Sequence, residues 1–237
     1  WTTIPSMSTI RGFFVAVMLD DDIIVIGDET AEQYSLVSKQ RSPFPFMNTR
    51  RGDFAAAVVD GKIIVVGGFD ADNFQCLATV EEYDPSTGEW REITPMRTKR
   101  RGCAAAVLGG KLYVMGGSSS QDDGVLTLSS VEVYDPATQQ WTLLNDMTTP
   151  RSHCAAVSLE GRIVVAGGYN RSALSSCEAY DPKTQKWSHI ASMHSKRHAC
   201  AAVEVAGDIY VLGGRDERYT NVSTMEYLPF SAFFAFL

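Results

Sequence analysis

The sequence predicts an all-β protein, a β-propeller of five four-stranded antiparallel blades, and three observations carry that expectation. A Met is followed four positions later by an Arg, and sixteen positions after that by a Gly, five times along the chain. The Mets are Met7, Met47, Met96, Met147 and Met193, the Args are Arg11, Arg51, Arg100, Arg151 and Arg197, and the glycines are Gly27, Gly67, Gly116, Gly167 and Gly213. The spacing inside the unit is gapless while the distance between units varies, as repeated supersecondary units with elastic loops would give. A period of roughly 40–50 residues is that of propeller repeats. The second observation is that the last four glycines each open a Gly-Gly pair at the end of an apolar run. The third is a Tyr-Asp-Pro turn placed seven residues before a Trp, as in Tyr134/Trp141 and Tyr180/Trp187.

The unit from Arg51 to Met96 shows each element in order. Phe54-Ala-Ala-Ala-Val-Val59 is a short apolar run of small residues and reads as the innermost strand, where bulk will not fit. Asp60-Gly61 is a strong hairpin signal. Lys62 to Gly68 is β-branched and apolar throughout, as a strand covered on both faces would be. A long polar stretch leads to Thr79-Val-Glu-Glu-Tyr83, the third strand. In Asp84-Pro-Ser-Thr-Gly88 the Asp side chain can bond forward to the backbone, Pro presets φ, and Gly supplies a positive φ. Glu89-Trp90-Arg-Glu-Ile93 is the fourth strand. Four short antiparallel strands per unit make a propeller blade. The Gly pairs allow backbone to approach backbone.

At 237 residues the chain reads as one domain, 1–237, because each unit needs its neighbours to bury its faces. The repeats run approximately 8–47, 48–96, 97–147, 148–193 and 194–237, with 1–7 as a closing strand. A net charge of −7 argues against a general nucleic-acid partner. No apolar run reaches the roughly 20 residues of a membrane span. The chain begins at Trp1 without an initiator Met and is expected to be a piece of something longer. Its five Cys form no C-x-x-C pair, and Cys103, Cys154 and Cys200 share one repeat position with Phe14 and Phe54. They read as reduced core thiols of a reducing compartment, so a cytoplasmic location is expected.

Gly-Gly, then Tyr-Asp-Pro, then Trp, then Pro-Met and Arg, recurring in register over essentially the whole chain, resembles the kelch repeat. The first repeat departs from it with Gly27-Asp28, and with Arg41 at the Trp position. The last departs with Tyr227-Leu-Pro229 and an apolar tail that puts Phe234 at the Trp position. Trp1 to Met7 matches a fourth strand with no blade in front of it. Either it completes the last blade, or the chain lost the start of a sixth, and the tail competes for the same slot. Five blades closed by the N-terminal strand are expected, since an open propeller exposes two sheet faces, although six is typical of kelch proteins.

The resemblance implies a non-enzymatic protein-interaction domain without cofactor. It would bind a short peptide or loop on the face formed by the inter-blade loops. The commonest contexts are the substrate receptor of a cullin-type ubiquitin ligase, with a BTB or F-box segment upstream, and an actin-associated scaffold. It also implies that Arg51, Arg100, Arg151 and Arg197, with Arg11 and the adjacent Arg101, surround the mouth of a central channel. Guanidinium groups there would suit an acidic ligand. The competing structural reading pairs each Arg within its blade, with Glu81, Glu132 and Glu178 as candidates two residues before the motif Tyr. Positions that differ between blades complete the candidate site: Ser152, His153 and His198 beside the Args, and Phe69, Asp70, Tyr169, Asn170 and Arg215 after the Gly pairs. The rival class is an enzymatic or metal-binding propeller. Its strongest set is the inner Cys103, Cys154 and Cys200 with His153 and His198, weighed against core packing. No metal ligand is assigned.

Overall fold

The computed structural model describes residues 6–7, 14–121 and 124–233 of the chain. They form an all-β fold, a five-bladed propeller with almost no helix. Blades 1 to 4 are four-stranded antiparallel meanders, and blade 5 has three strands among the described residues. The chain divides into two compact units, Trp1–Arg101 with blades 1 and 2 and Gly102–Leu237 with blades 3 to 5. The one helix among the described residues, Phe230–Phe233, is far too short to cross a membrane.

The blades follow the sequence grammar closely. Inner strands are Val15–Leu19, Ala55–Val59, Ala104–Leu108, Ala155–Leu159 and Ala201–Val205. Each starts one residue after the shared Phe or Cys position. The second strands end directly before the Gly pairs, as in Lys62–Val66 and Arg162–Ala166. Between inner and second strands, Asp60-Gly61, Gly109-Gly110 and Glu160-Gly161 hold positive φ at both residues, which is the twist a two-residue hairpin needs. The Tyr-Asp-Pro turns work through the Asp carboxylate: Asp84, Asp135 and Asp181 each accept a backbone N–H two residues on.

Outer strands carry the aromatic wedge. Trp90, Trp141 and Trp187 sit directly opposite Tyr83, Tyr134 and Tyr180. Their ring centroids lie 5.4, 5.1 and 5.2 Å apart in that order. Within each unit the indole N–H reaches the preceding blade, Trp90 Nε1 donating to Pro45 O at 2.9 Å and Trp187 Nε1 to Asn145 O at 3.0 Å. A Trp therefore fills the space between blades and satisfies its one donor there. Trp90 and Trp141 are buried, and Trp187 is half-buried.

The Gly pairs have a direct cause. The first Gly of a pair lies against the Arg carbonyl of the following repeat. A Cβ built on Gly116, which has φ +62, would meet Arg151 O at 2.2 Å and the Met147 methyl at 3.1 Å. The Gly117 N–H then donates to that same carbonyl at 2.9 Å. Backbone stacks on backbone there, and no side chain fits.

Blade 5 is also the exception in packing. Its Ile209 and Val211 share a core with blade 4 and with the helix residue Phe233. Val203, Val205, Met225 and Tyr227 stay exposed. The tail residues 230–233 are helical and do not supply a fourth strand. The expected closure by Trp1–Ile4 lies outside the described residues, as do Arg11 and Phe234.

Candidate functional site on the inter-blade loops

The motif arginines are the best-defined polar feature, and they point into the blades. Arg51, Arg100, Arg151 and Arg197 are among the largest fully buried side chains of the protein. Arg151 Nη1 donates to Gly167 O at 2.6 Å and Ser176 O at 3.0 Å, and its Nη2 meets Glu178 Oε1 at 2.6 Å. Arg51 repeats the arrangement with Gly67 O, Thr79 O and Glu81 Oε1 at 2.9, 2.9 and 2.7 Å. Arg197 does so with Gly213 O, Thr224 O and Glu226 Oε1 at 3.1, 2.9 and 2.7 Å. In Arg51, Arg151 and Arg197 the bond to the first Gly carbonyl accounts for the sixteen-residue spacing.

The glutamates are spent as fully. Glu178 also accepts Thr148 N at 2.7 Å and Thr149 N at 3.1 Å, and Glu81 accepts Asn48 N and Thr49 N. Each Glu thus pins the turn that follows the motif Met. Burial pushes the Glu226 carboxyl up, but the His194 and Ser195 donors and Arg197 outweigh it and hold it at about 2. Glu178 is likewise held below the ordinary carboxylate value by Thr148 and Arg151, against the opposing effect of burial. Pairing within the blade is the arrangement seen for Arg51, Arg151 and Arg197. Their guanidinium groups offer no exposed surface to a ligand, which corrects the expectation that they line an open mouth. Sequence reasoning named Glu81 and Glu178 but missed Glu226, because the last repeat lacks the Tyr-Asp-Pro marker.

The positions after the Args and those after the Gly pairs are brought side by side at one end of each blade. Isolated bridges join them: Gly52 to Phe69, Ser152 to Tyr169, and His198 to Arg215. Phe69 and Asp70 are half-buried. In the first unit the Arg101 guanidinium lies 4.6 Å from the Phe69 ring centroid, a cation–π contact. Asp70 builds its own turn, accepting Asp72 N, Asn73 N and Asn73 Nδ2.

The second unit gathers most of the remaining candidates. Ser152 is buried and its hydroxyl donates to Tyr169 O at 3.2 Å, so it supports the loop. His153 holds φ 51°, donates its N–H to Gly102 O at 2.6 Å and accepts Ala199 N at 2.7 Å. Three successive blades are laced by that chain of backbone bonds. A Cβ on Gly102 would meet the His153 ring at 2.7 Å, so the small residue makes room for the imidazole. The His153 and His198 ring centroids are 6.5 Å apart. His198 packs edge-on against Tyr169 at 5.4 Å and Tyr219 at 5.3 Å. The two tyrosine rings lie 6.2 Å apart, and the nearby Tyr219 raises the Tyr169 pKa. Arg215 is exposed, and no salt bridge is seen for it among the described residues. Asn170 is half-buried in the short hairpin Tyr169–Asn170/Ser172–Ala173. Tyr219 was not anticipated from sequence; its only signal was membership of the loop after the last Gly pair.

No group of three or more His, Cys, Asp or Glu side chains among the described residues could hold a metal ion. Burial pushes the Cys154 thiol up to about 12 and the Cys200 thiol up to about 11, which disfavours the thiolate that a soft metal requires. What the loops offer is an aromatic cluster with an adjacent cation. In comparison with known proteins, residues 20–214 match the family model of the KLHDC2/KLHL20/DRC7 Kelch-repeats domain.

Proposed function

From the premise that this chain belongs to the kelch-repeat family, we propose that it is a non-enzymatic protein-interaction domain. Its partner-binding surface, in this reading, is the loop cluster of Tyr169, Tyr219, His198 and Arg215, and its ligand a short peptide or loop carrying an acidic residue. The kelch propeller is a typical protein–protein interaction fold. One observation carries the finer reading: exposed Arg215 stands beside His198 and the Tyr169–Tyr219 pair. An aromatic surface with a neighbouring exposed guanidinium suits a peptide that offers a flat or apolar group next to a carboxylate. Arg101 over Phe69 is a second cation–aromatic pair of the same kind on the first unit. A rigid scaffold positioning variable loops allows recognition to change without threatening the fold. The wider setting we propose is the substrate-receptor role of a ubiquitin ligase, for which the support is family membership alone.

Fluorescence anisotropy with labelled acidic, neutral and basic dodecapeptides tests the reading. Acidic peptides should bind and weaken as salt rises, because exposed charge pairs are screened over about 8 Å at physiological ionic strength. Arg215→Ala and Tyr169→Ala should each lower affinity by about 1–2 kcal/mol, while Lys183→Ala, on an outer turn, should leave it unchanged. Basic peptides binding equally well, or an affinity indifferent to both Arg215 and salt, would remove the acidic-ligand reading.

A further inference from the structure

Between blades 1 and 2, Trp90 belongs to one buried cluster with Phe44, Met47 and Tyr83. The same three positions recur between blades 4 and 5 as Ile190, Met193 and Leu228. Hydrogen bonds fix the correspondence: Glu81 accepts Asn48 N as Glu226 accepts His194 N, and each set keeps its spacing to those two groups. In place of a closed core, Ile190, Met193 and Leu228 line a cleft of about 150 Å³, with Ile209 and Val211 in its wall. Met47 and Tyr83 are buried, whereas Met193 and Leu228 are only half-buried. His194 and Tyr227, both exposed, also line the cleft, so it opens to solvent.

We propose that this cleft is a binding site for an indole, the side chain of a tryptophan presented by a partner protein. An apolar cavity of about 150 Å³ is large enough to hold an aromatic ring. The polar handle is a backbone carbonyl. Trp90 and Trp187 each donate the indole N–H to a carbonyl three residues before the turn that the glutamate pins, Pro45 O at 2.9 Å and Asn145 O at 3.0 Å. Counted from His194, the carbonyl in that place is Ala191 O, and Ala191 lines the cleft. An entering indole would bury its ring against Met193 and Leu228 and satisfy its one donor on Ala191 O. A ring of the same shape without the N–H would gain the burial alone. The site shares no residue with the loop cluster proposed above and does not depend on that reading. The mouth beside His194 and Tyr227 gives a residue from outside the chain a way in.

The test uses the whole chain with 13C-labelled methionine methyl groups and three probes: indole, benzofuran, which lacks the N–H, and N-acetyltryptophanamide. The Met193 signal is assigned from Met193→Leu. Indole should shift it at roughly fivefold lower concentration than benzofuran, the ratio one neutral hydrogen bond supports. N-acetyltryptophanamide should shift it as well, while Met147, buried in the core between blades 3 and 4, stays still. Equal effects of indole and benzofuran, equal movement of Met147, or a still Met193 would each overturn the proposal. A response to indole but not to N-acetyltryptophanamide would overturn the assignment to a protein's tryptophan. A response that appears only in Trp1→Ala would give the cleft to the chain's own Trp1 and overturn the partner reading.

Discussion

At Arg151 four hydrogen bonds hold the guanidinium inside blade 4, one of them to Glu178 at 2.6 Å. Truncation would leave Glu178 buried, with Thr148 and Thr149 as its remaining donors. Breaking a buried pair by removing one partner costs about 3–5 kcal/mol, because an uncompensated charge stays in the interior. Arg151→Ala should therefore lower the urea midpoint by that equivalent, while Arg215→Ala, an exposed residue of the same type, should stay within about 0.5 kcal/mol. Equal stability for the two variants would contradict the division drawn between structural and surface arginines. That division was not legible in the sequence. A repeated Arg is read equally well as architecture or as a binding ring until its burial is known.

A blade's outer pair depends on the Trp set against the motif Tyr. Trp141 is 3% exposed and packs against Tyr134 with its ring tilted, whereas Trp187 is half-buried although its partner Tyr180 lies equally close. Truncating a buried Trp costs about 3–5 kcal/mol, so Trp141→Ala should show the larger loss in a thermal melt and Trp187→Ala the smaller. A reversed order would mean that the wedge between blades is not what these residues fill. Strand positions in the worked unit were legible for the blade strands, because turn chemistry and side-chain period are local, while the short hairpin Phe69–Asp70/Gln75–Cys76 lies in what read as a polar stretch. The helical turn at Phe230–Phe233 was not legible, since the tail read as an apolar run competing for a strand slot.

Over the whole chain, carboxylates held below their ordinary pKa recur from blade to blade. Glu178 and Glu226 pin inner turns, and Asp84, Asp135 and Asp181 pin outer ones. A folded-state pKa below the unfolded value contributes stability that is present above the unfolded value and lost as pH falls towards the folded one. For Glu226 that window runs from 4.5 to about 2. The urea midpoint should be level above the carboxylate range and fall steadily through this window, and Glu226→Gln should remove part of the fall while lowering stability at pH 7. A midpoint unchanged down to the foot of the window would show that these contacts contribute little to folding.

The sequence by itself determined the fold class and the kelch family, because backbone turns, Gly pairs and strand periods are short-range signals repeated in register. It also determined which loop positions vary between blades. Only the tertiary structure decided which way each polar side chain faces. Packing buried the invariant arginines against glutamates some thirty residues away, as in Arg51 and Glu81. It also brought Tyr169, His198 and Tyr219, from separate loops, against one another. Partners that far apart leave no local mark, since nothing in either segment requires the other until the blades assemble.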